Sequence, residues 1–265
     1  MKQKRFSLCT GDRVALELKG ENETREGMIT AVLPRRNCLS RPAVANLDFL
    51  VITLALTQPE FSFLIMDKLL VLAAASDVPV LIVLTKADLV TEELAGSVAS
   101  IYNTIGYETF IVSSKTGLGI DRLRARLTGK ITALGGPSGV GKSSALNAIQ
   151  PGLLRGTGEI SSKISRGRHT TRYTELIPFN GGYLADTPGF GNVLMESMEL
   201  EALPKYFPEF QQYEEACKFS PCSHTHEPVC GVKDAVRAGK IASSRYTSYI
   251  LILQELKDNK ERARK

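Results

Sequence analysis

One octapeptide constrains this 265-residue chain more than any other feature. Gly136-Pro137-Ser138-Gly139-Val140-Gly141-Lys142-Ser143 fits the pattern G-x-x-x-x-G-K-[ST]. It follows an apolar run at 131–134 and opens a helical pattern that continues past Ser144. Glycines at these positions let backbone N–H groups converge on phosphate oxygens at a helix N-terminus. Lys142 is placed to reach the β and γ phosphates, and Ser143 to ligate Mg²⁺. The pattern points to a nucleoside triphosphate and does not name its base. A strand, this loop and a helix require a sheet around them, so the rest of the chain must supply further strands and crossovers.

It does. Residues 49–56 form a continuous apolar run, as in a strand buried on both faces. Helical spacing at 61–76, a strand at 80–84, a helix at 92–105, a strand at 109–112 and a helix at 120–127 lead up to the loop. This alternation predicts an α/β fold, a parallel-rich sheet with helices on both faces. Beyond the loop, 175–179 and 183–185 flank Asn180-Gly181-Gly182, a hairpin signature. Upstream, 14–18 and 28–33 read as short strands around a polar turn, too small to bury a core alone. Arg35, Arg36 and Arg41 follow them as a basic exit. After Asn192 the alternation stops. From about 196 the chain reads as helical and ends in Lys257, Lys260, Arg262, Arg264 and Lys265. Three domains are expected: a β-domain at 1–42, the α/β domain at 43–195 and a helical domain at 196–265.

A hydrophobic fraction of 43% with 23% charged residues excludes disordered and collagen-like classes for the bulk of the chain. A net charge of +5 permits a polyanionic partner without requiring one. The most apolar stretch, 69–85, is broken by Asp77 and Pro79, so no membrane span is expected. The basic start (Lys2, Lys4, Arg5) runs into Asp12, Arg13 and Glu17 instead of an apolar signal core. A cytoplasmic or organelle-matrix location follows as an expectation, with no membrane partner.

Two further elements address the base. Thr85-Lys86-Ala87-Asp88 follows the 80–84 strand and matches the [NT]-K-x-D element of GTPases. A carboxylate at Asp88 can accept from N1–H and the exocyclic amine of guanine. Adenine would leave that charge facing an acceptor, a costly mismatch. Ser113-Ser114-Lys115, after the next strand, stands where GTPases set a backbone amide against guanine O6. Asp186-Thr187-Pro188-Gly189 matches D-x-x-G: Asp186 is expected to hold Mg²⁺ through water and the Gly189 amide to face the γ-phosphate. Between it and the phosphate loop lies Arg166-Gly167-Arg168-His169-Thr170-Thr171-Arg172, from which Thr170 or Thr171 is expected to close over the magnesium. These elements occur as base reader, base support, phosphate loop and two switches, a circular permutation of the ordinary GTPase order. Phe190 stands where many GTPases carry a water-orienting glutamine, so slow intrinsic hydrolysis is expected. His169 or a partner would complete the site, with Lys142, Thr170 and Thr171 acting on the phosphates.

Cysteines are five in number, and Cys217, Cys222 and Cys230 crowd around two of the three histidines. Three thiolates and one imidazole suit a closed tetrahedral Zn²⁺ site that stabilises a small domain. Spacing leaves His224 and His226 as alternative nitrogen ligands.

The whole combination resembles the ribosome small subunit-dependent GTPase A family. The carrying residues are Gly11-Asp12-Arg13-Val14, Pro34-Arg35-Arg36-Asn37 with Arg41-Pro42, Thr85-Lys86-Ala87-Asp88 and Gly136 through Ser144. They continue with Gly167-Arg168-His169-Thr170-Thr171, Asp186-Thr187-Pro188-Gly189-Phe190 and the cysteine cluster with Glu227-Pro228. The resemblance implies a circularly permuted P-loop GTPase domain between an N-terminal OB-fold and a C-terminal zinc domain. It further implies GTP or GDP, Mg²⁺ and one structural zinc on Cys217, Cys222, His224 and Cys230. Late maturation of the small ribosomal subunit, with hydrolysis stimulated by the subunit and ribosomal RNA contacted by the flanking domains, is the implied function. Only ten residues precede Gly11, so a partial OB-fold with an open sheet edge is expected. A monomer is expected. The competing expectations are a guanine-nucleotide-dependent RNA- or ribosome-binding factor with negligible hydrolysis, and an ATP-dependent kinase, which Asp88 and Asp186 argue against.

Overall fold

The computed structural model describes residues 8–19, 26–40, 43–153, 174–186 and 198–262. Its centre is a six-stranded sheet of β5 (Phe49–Ala55), β6 (Val80–Thr85), β7 (Glu108–Ile111), β8 (Ile131–Gly135), β9 (Glu175–Phe179) and β10 (Gly182–Asp186). The spatial order is β7-β6-β5-β8-β10-β9. All neighbours run parallel except β9 and β10. That antiparallel edge follows from two turn residues: Asn180 and Gly181 have φ of 50° and 75°. Two consecutive left-handed residues make a tight hairpin that turns the chain straight back.

Four helices cover the sheet: α1 (Phe63–Ala75), α2 (Glu92–Asn103), α3 (Ile120–Leu127) and α4 (Lys142–Ile149). Strand pleating separates two cores. Leu50, Ile52 and Leu54 of β5 pack with Met66, Leu69 and Leu70 of α1 and Val98 and Tyr102 of α2. Val51, with Leu81 and Val83, faces Leu123 and Leu127 of α3 and Leu146 of α4 on the other side. Caps set the helix starts: Ser62 accepts from the Ile65 amide, and Thr91 from the Leu94 amide.

Upstream, β1 (Val14–Lys19) and β2 (Glu26–Val32) form an antiparallel ribbon. Leu16 and Leu18 on it are 56% and 62% exposed. A second ribbon, β3 (Cys38–Ser40) with β4 (Ala43–Ala45), is not evident from sequence. Three-residue strands carry too few positions for a period to register. A hydrogen-bonded strap joins these ribbons to the sheet. Arg35 grips Asp12 through Nε at 2.7 Å and Nη2 at 2.9 Å. Arg36 donates to the Asn46 carbonyl and to Asp48, and Asp48 in turn accepts from the Ile131 amide at the start of β8. Thr10 donates to the Thr174 carbonyl at 2.6 Å, just ahead of β9. Arg35 and Arg36 thus serve the interior of the chain. Arg41 lies outside the described residues.

At the C-terminus the continuous helical expectation is replaced by short pieces. 3₁₀ helices at Leu200–Tyr206 and Glu214–Ala216 flank α5 (Pro208–Gln211), followed by α6 (Gly231–Arg237) and the long α7 (Ser243–Arg262). The cysteine stretch before α6 forms no helix. Leu203, Phe207, Phe210, Tyr249 and Ile252 build a separate core, which Val71 of α1 joins. The seam between α1 and this core is ionic. Arg245, 1% exposed, donates to Asp67 at 2.6 Å and to Glu209 at 2.7 Å. Tyr102 donates to the same Asp67 oxygen at 3.1 Å. Burial pushes the Asp67 carboxyl up, while Arg245, Ser248 and Tyr102 pull it down. Lys68 and Glu255 pair at the rim of the same seam.

Candidate nucleotide site and metal centre

The expected nucleotide loops meet at the C-terminal ends of β8, β6 and β7, where parallel sheets open a crevice for ligands. After β8 the chain turns through Gly136, whose φ is 130°. A Cβ there would stand 2.1 Å from the Thr53 carbonyl oxygen of β5, so no side chain fits. Lys142, at the start of α4, turns its ammonium back onto its own loop. Nζ donates to the Gly136 and Pro137 carbonyls at 2.8 and 2.6 Å. Burial pulls its pKa below the ordinary lysine value. Ser143 and Ser144 are exposed on the first turn of α4. The loop therefore presents a preformed backbone turn, a cation and two hydroxyls together.

Thr85 and Lys86 fasten the C-terminal end of β6 to this loop. Thr85 is buried, and its hydroxyl meets the Val140 carbonyl and, at 3.3 Å, the Leu54 carbonyl. Lys86 takes a left-handed φ of 58°. Its Nζ donates to the Gly139 carbonyl at 3.0 Å and to the Gln58 carbonyl. Gln58, beyond the end of β5, is a site residue that the sequence did not flag; only the approach of three loops singles it out. The Ala87 amide donates to the Val112 carbonyl. Asp88 is exposed and accepts from the buried Ser113 hydroxyl at 2.6 Å. That bond, aided by Lys115, holds the carboxyl below its ordinary range and therefore charged. The Ser113 oxygen also accepts from the Lys115 and Thr116 amides. Ser113 thus ties the loop after β6 to the loop after β7, while Ser114 is half-buried beside it.

Asp186 ends β10, and its neighbour Ala185 is in register with Ala133 of β8, so the strand delivers it beside the phosphate loop. His169, Thr170, Thr171, Gly189 and Phe190 lie outside the described residues.

The second site needs no such gathering. The ligand atoms of Cys217, Cys222, His224 and Cys230 all lie within 4.8 Å of one another. His224 Nδ1 stands 3.4 Å from Cys230 Sγ and 3.7 Å from Cys217 Sγ. His226 is exposed, and its Nδ1 meets Thr225 Oγ1 instead, so the open choice between the histidines falls on His224. Burial pushes the Cys222 thiol up to about 12 and raises Cys230, while it lowers His224 toward neutrality. A thiophilic cation bound here would displace the thiol protons to solvent, and three sulfurs with one imidazole nitrogen are a donor set that suits zinc. A polar shell orients the loop. Glu227 accepts from the Ser223 amide and hydroxyl and from the Thr225 amide. Burial opposes its charge, yet these donors hold it to about 2. Tyr246 and Tyr249 of α7 donate to the His224 and Ser223 carbonyls, each at 2.7 Å.

The RsgA GTPase family profile matches residues 32–196. A protein of Moorella thermoacetica named small ribosomal subunit biogenesis GTPase RsgA is 46% identical over 247 residues, 93% of this chain and 84% of that protein. One of the same name from Alkaliphilus metalliredigens is 40% identical over 261 residues, covering 98% and 89%. Among solved structures, YjeQ from Thermotoga maritima matches with a TM-score of 0.81 at 40% identity, over 96% of this chain and 86% of that one. YloQ, described as a circularly permuted GTPase, matches with a TM-score of 0.77 at 34% identity, over 97% and 83%.

Proposed function

The chain belongs to the RsgA GTPase family, and from that premise we propose that it binds the small ribosomal subunit and assists its late maturation. It hydrolyses GTP to GDP and phosphate, and the subunit stimulates that turnover. One observation carries the guanine-nucleotide reading: Ser113 clamps Asp88 at 2.6 Å while Lys86 of the same loop grips Gly139 of the phosphate loop at 3.0 Å. A charged carboxylate for the guanine edge is thereby held at fixed distance from a phosphate cradle.

In this reading Gly136 through Ser144 wrap the phosphates. Thr85 through Asp88 and Ser113 through Lys115 take the base. Lys142 leaves its two carbonyls for phosphate oxygens, a better partner for an ammonium. Ser143 and Asp186 are the residues that would hold magnesium, which supplies neutralisation of phosphate charge when bound. Thr170 or Thr171 and the Gly189 amide face the γ-phosphate, and His169 orients the water that Phe190 cannot. Cys217, Cys222, His224 and Cys230 hold one structural zinc ion. The domains divide as 1–42, 43–195 and 196–265, the flanking ones contact ribosomal RNA, and the protein works as a cytoplasmic monomer.

GTP turnover measured with and without purified small subunits tests this, with Lys142→Ala as the blank. Added subunits are expected to raise turnover, and the substitution to lower it at least ~100-fold, the scale of a lost transition-state charge contact. Intact GTP binding without any stimulation would leave the negligible-hydrolysis factor as the correct reading. Absence of binding heat with GDP and with GTP would remove both.

A further inference from the structure

The β9–β10 hairpin is held firmly at its turn. The Asn180 amide donates to the Gln150 side chain, just past α4, at 2.7 Å, and the Asn180 side chain donates to the Arg124 carbonyl of α3 at 2.7 Å. The opposite end carries a magnesium candidate. Asp186 closes β10 and is paired with Glu175, the first residue of β9. Since β10 runs parallel to β8, this pair stands at the crevice end of the sheet. β9 has β10 on one side and, among the described residues, no strand on the other. The terminal pair of such a hairpin opens readily unless something ties it. Thr10 ties it: its hydroxyl donates to the Thr174 carbonyl at 2.6 Å, across 164 positions of sequence.

Thr10 is itself firmly mounted. It bridges to Val44 of β4, and its carbonyl accepts from the Ala45 amide at 2.8 Å. The next residue, Gly11, has φ of 87°, and a Cβ there would stand 2.2 Å from the Ala45 carbonyl oxygen. Only glycine permits that approach. The Gly11 carbonyl accepts from the Asn46 side chain at 2.9 Å. Beyond it Asp12 closes a turn onto Cys9, and Arg35 fixes Asp12. A hydroxyl on a backbone braced in this way holds its acceptor in place instead of following it.

We propose that Thr10 is a positioning residue for the nucleotide site: its bond to Thr174 fixes the strand end that carries Asp186, and so the place from which Asp186 would hold magnesium. This role rests on the guanine-nucleotide reading above. Thr10 acts only through Thr174 and the Glu175–Asp186 pair. The phosphate loop and the base-reading loops follow β8, β6 and β7 instead of this hairpin. The signature of the role is therefore a binding defect that depends on Mg²⁺.

Calorimetry of a non-hydrolysable GTP analogue on the full chain, with saturating Mg²⁺ and with chelator, tests it. Thr10→Val keeps the branched shape and leaves the Thr174 carbonyl without its donor. With Mg²⁺ its affinity should fall by about 2- to 10-fold, the scale of one hydrogen bond. With chelator it should match the unmodified chain. Thr10→Ser brings the hydroxyl back and should restore the affinity. Hydrogen exchange supplies a reading that needs no ligand: the Glu175 and Asp186 amides should exchange several-fold faster in Thr10→Val and return to their former rate in Thr10→Ser. Equal Mg²⁺-dependent affinity in all three chains overturns the role, as does a loss in Thr10→Val that is the same with and without Mg²⁺. An unmodified chain that binds the analogue under neither condition removes the nucleotide reading itself, a result distinct from equal binding by all three.

Discussion

Thr85 illustrates how much one hydroxyl can carry. It is buried, and its oxygen links the end of β6 to the Val140 carbonyl of the phosphate loop. Thr85→Val keeps the volume and leaves that acceptor without its donor, at a cost of about 1–3 kcal/mol. Denaturant unfolding should show the loss, and calorimetry should show GDP binding weakened by roughly tenfold for each 1.4 kcal/mol lost from the bound geometry. Asp12 gives a pH-dependent case. Its hydrogen bond from Arg35 holds the carboxyl below the ordinary range, against burial. A depressed carboxylate pKa contributes stability above the ordinary range and loses it as the pH falls through the lowered value. The protection factor of the Ala45 amide should therefore fall below about pH 4, where free aspartate takes up its proton. Asp12→Asn should already be low at neutral pH and stay flat. At this scale the sequence disclosed residue types at motif spacing, which is why Lys142 and Asp88 could be named in advance. It could not separate His224 from His226, because a choice two residues apart is decided by which way the loop turns. Gln58 was equally hidden: it contributes only a carbonyl, and every residue has one.

Among the elements, α1 does more than cover the sheet. One face packs on β5, and Asp67 on it accepts from Arg245 of α7. Arg245→Met would leave Asp67 and Glu209 buried without their counter-ion, a loss of about 3–5 kcal/mol. Replacing all three by apolar residues of similar volume should recover most of it, since the charges then vanish together. Thermal unfolding of the two variants distinguishes an unpaired charge from a packing defect. The Cys/His loop behaves differently. Cys222→Ser should abolish the single zinc ion counted by native mass spectrometry and speed hydrogen exchange in α6 and α7, with the sheet still protected. Long alternating elements were legible because buried strands such as β5 are apolar throughout and Asn180-Gly181-Gly182 dictates its own turn. The β3–β4 ribbon and the Glu214–Ala216 turn were not, since pieces of three residues are specified by tertiary contacts instead of by a repeating pattern.

Over the whole molecule, the swapped motif order changes which strand comes first without changing which strands touch. β5 opens the sheet in sequence and lies near its middle in space, between β6 and the phosphate-loop strand β8. The chain could be read as a permuted α/β protein because each motif still follows a strand end; the strap could not, because its bonds join residues far apart in sequence. The longest of these is the bond from Thr10 to Thr174. Residue 153 is held by the end of α4, and residue 174 is moored to the opening of the chain. Thr10 also bridges to Val44 of β4, so a load applied at the opening of the chain is handed to the outer edge of the six-stranded sheet without passing through the sequence between them.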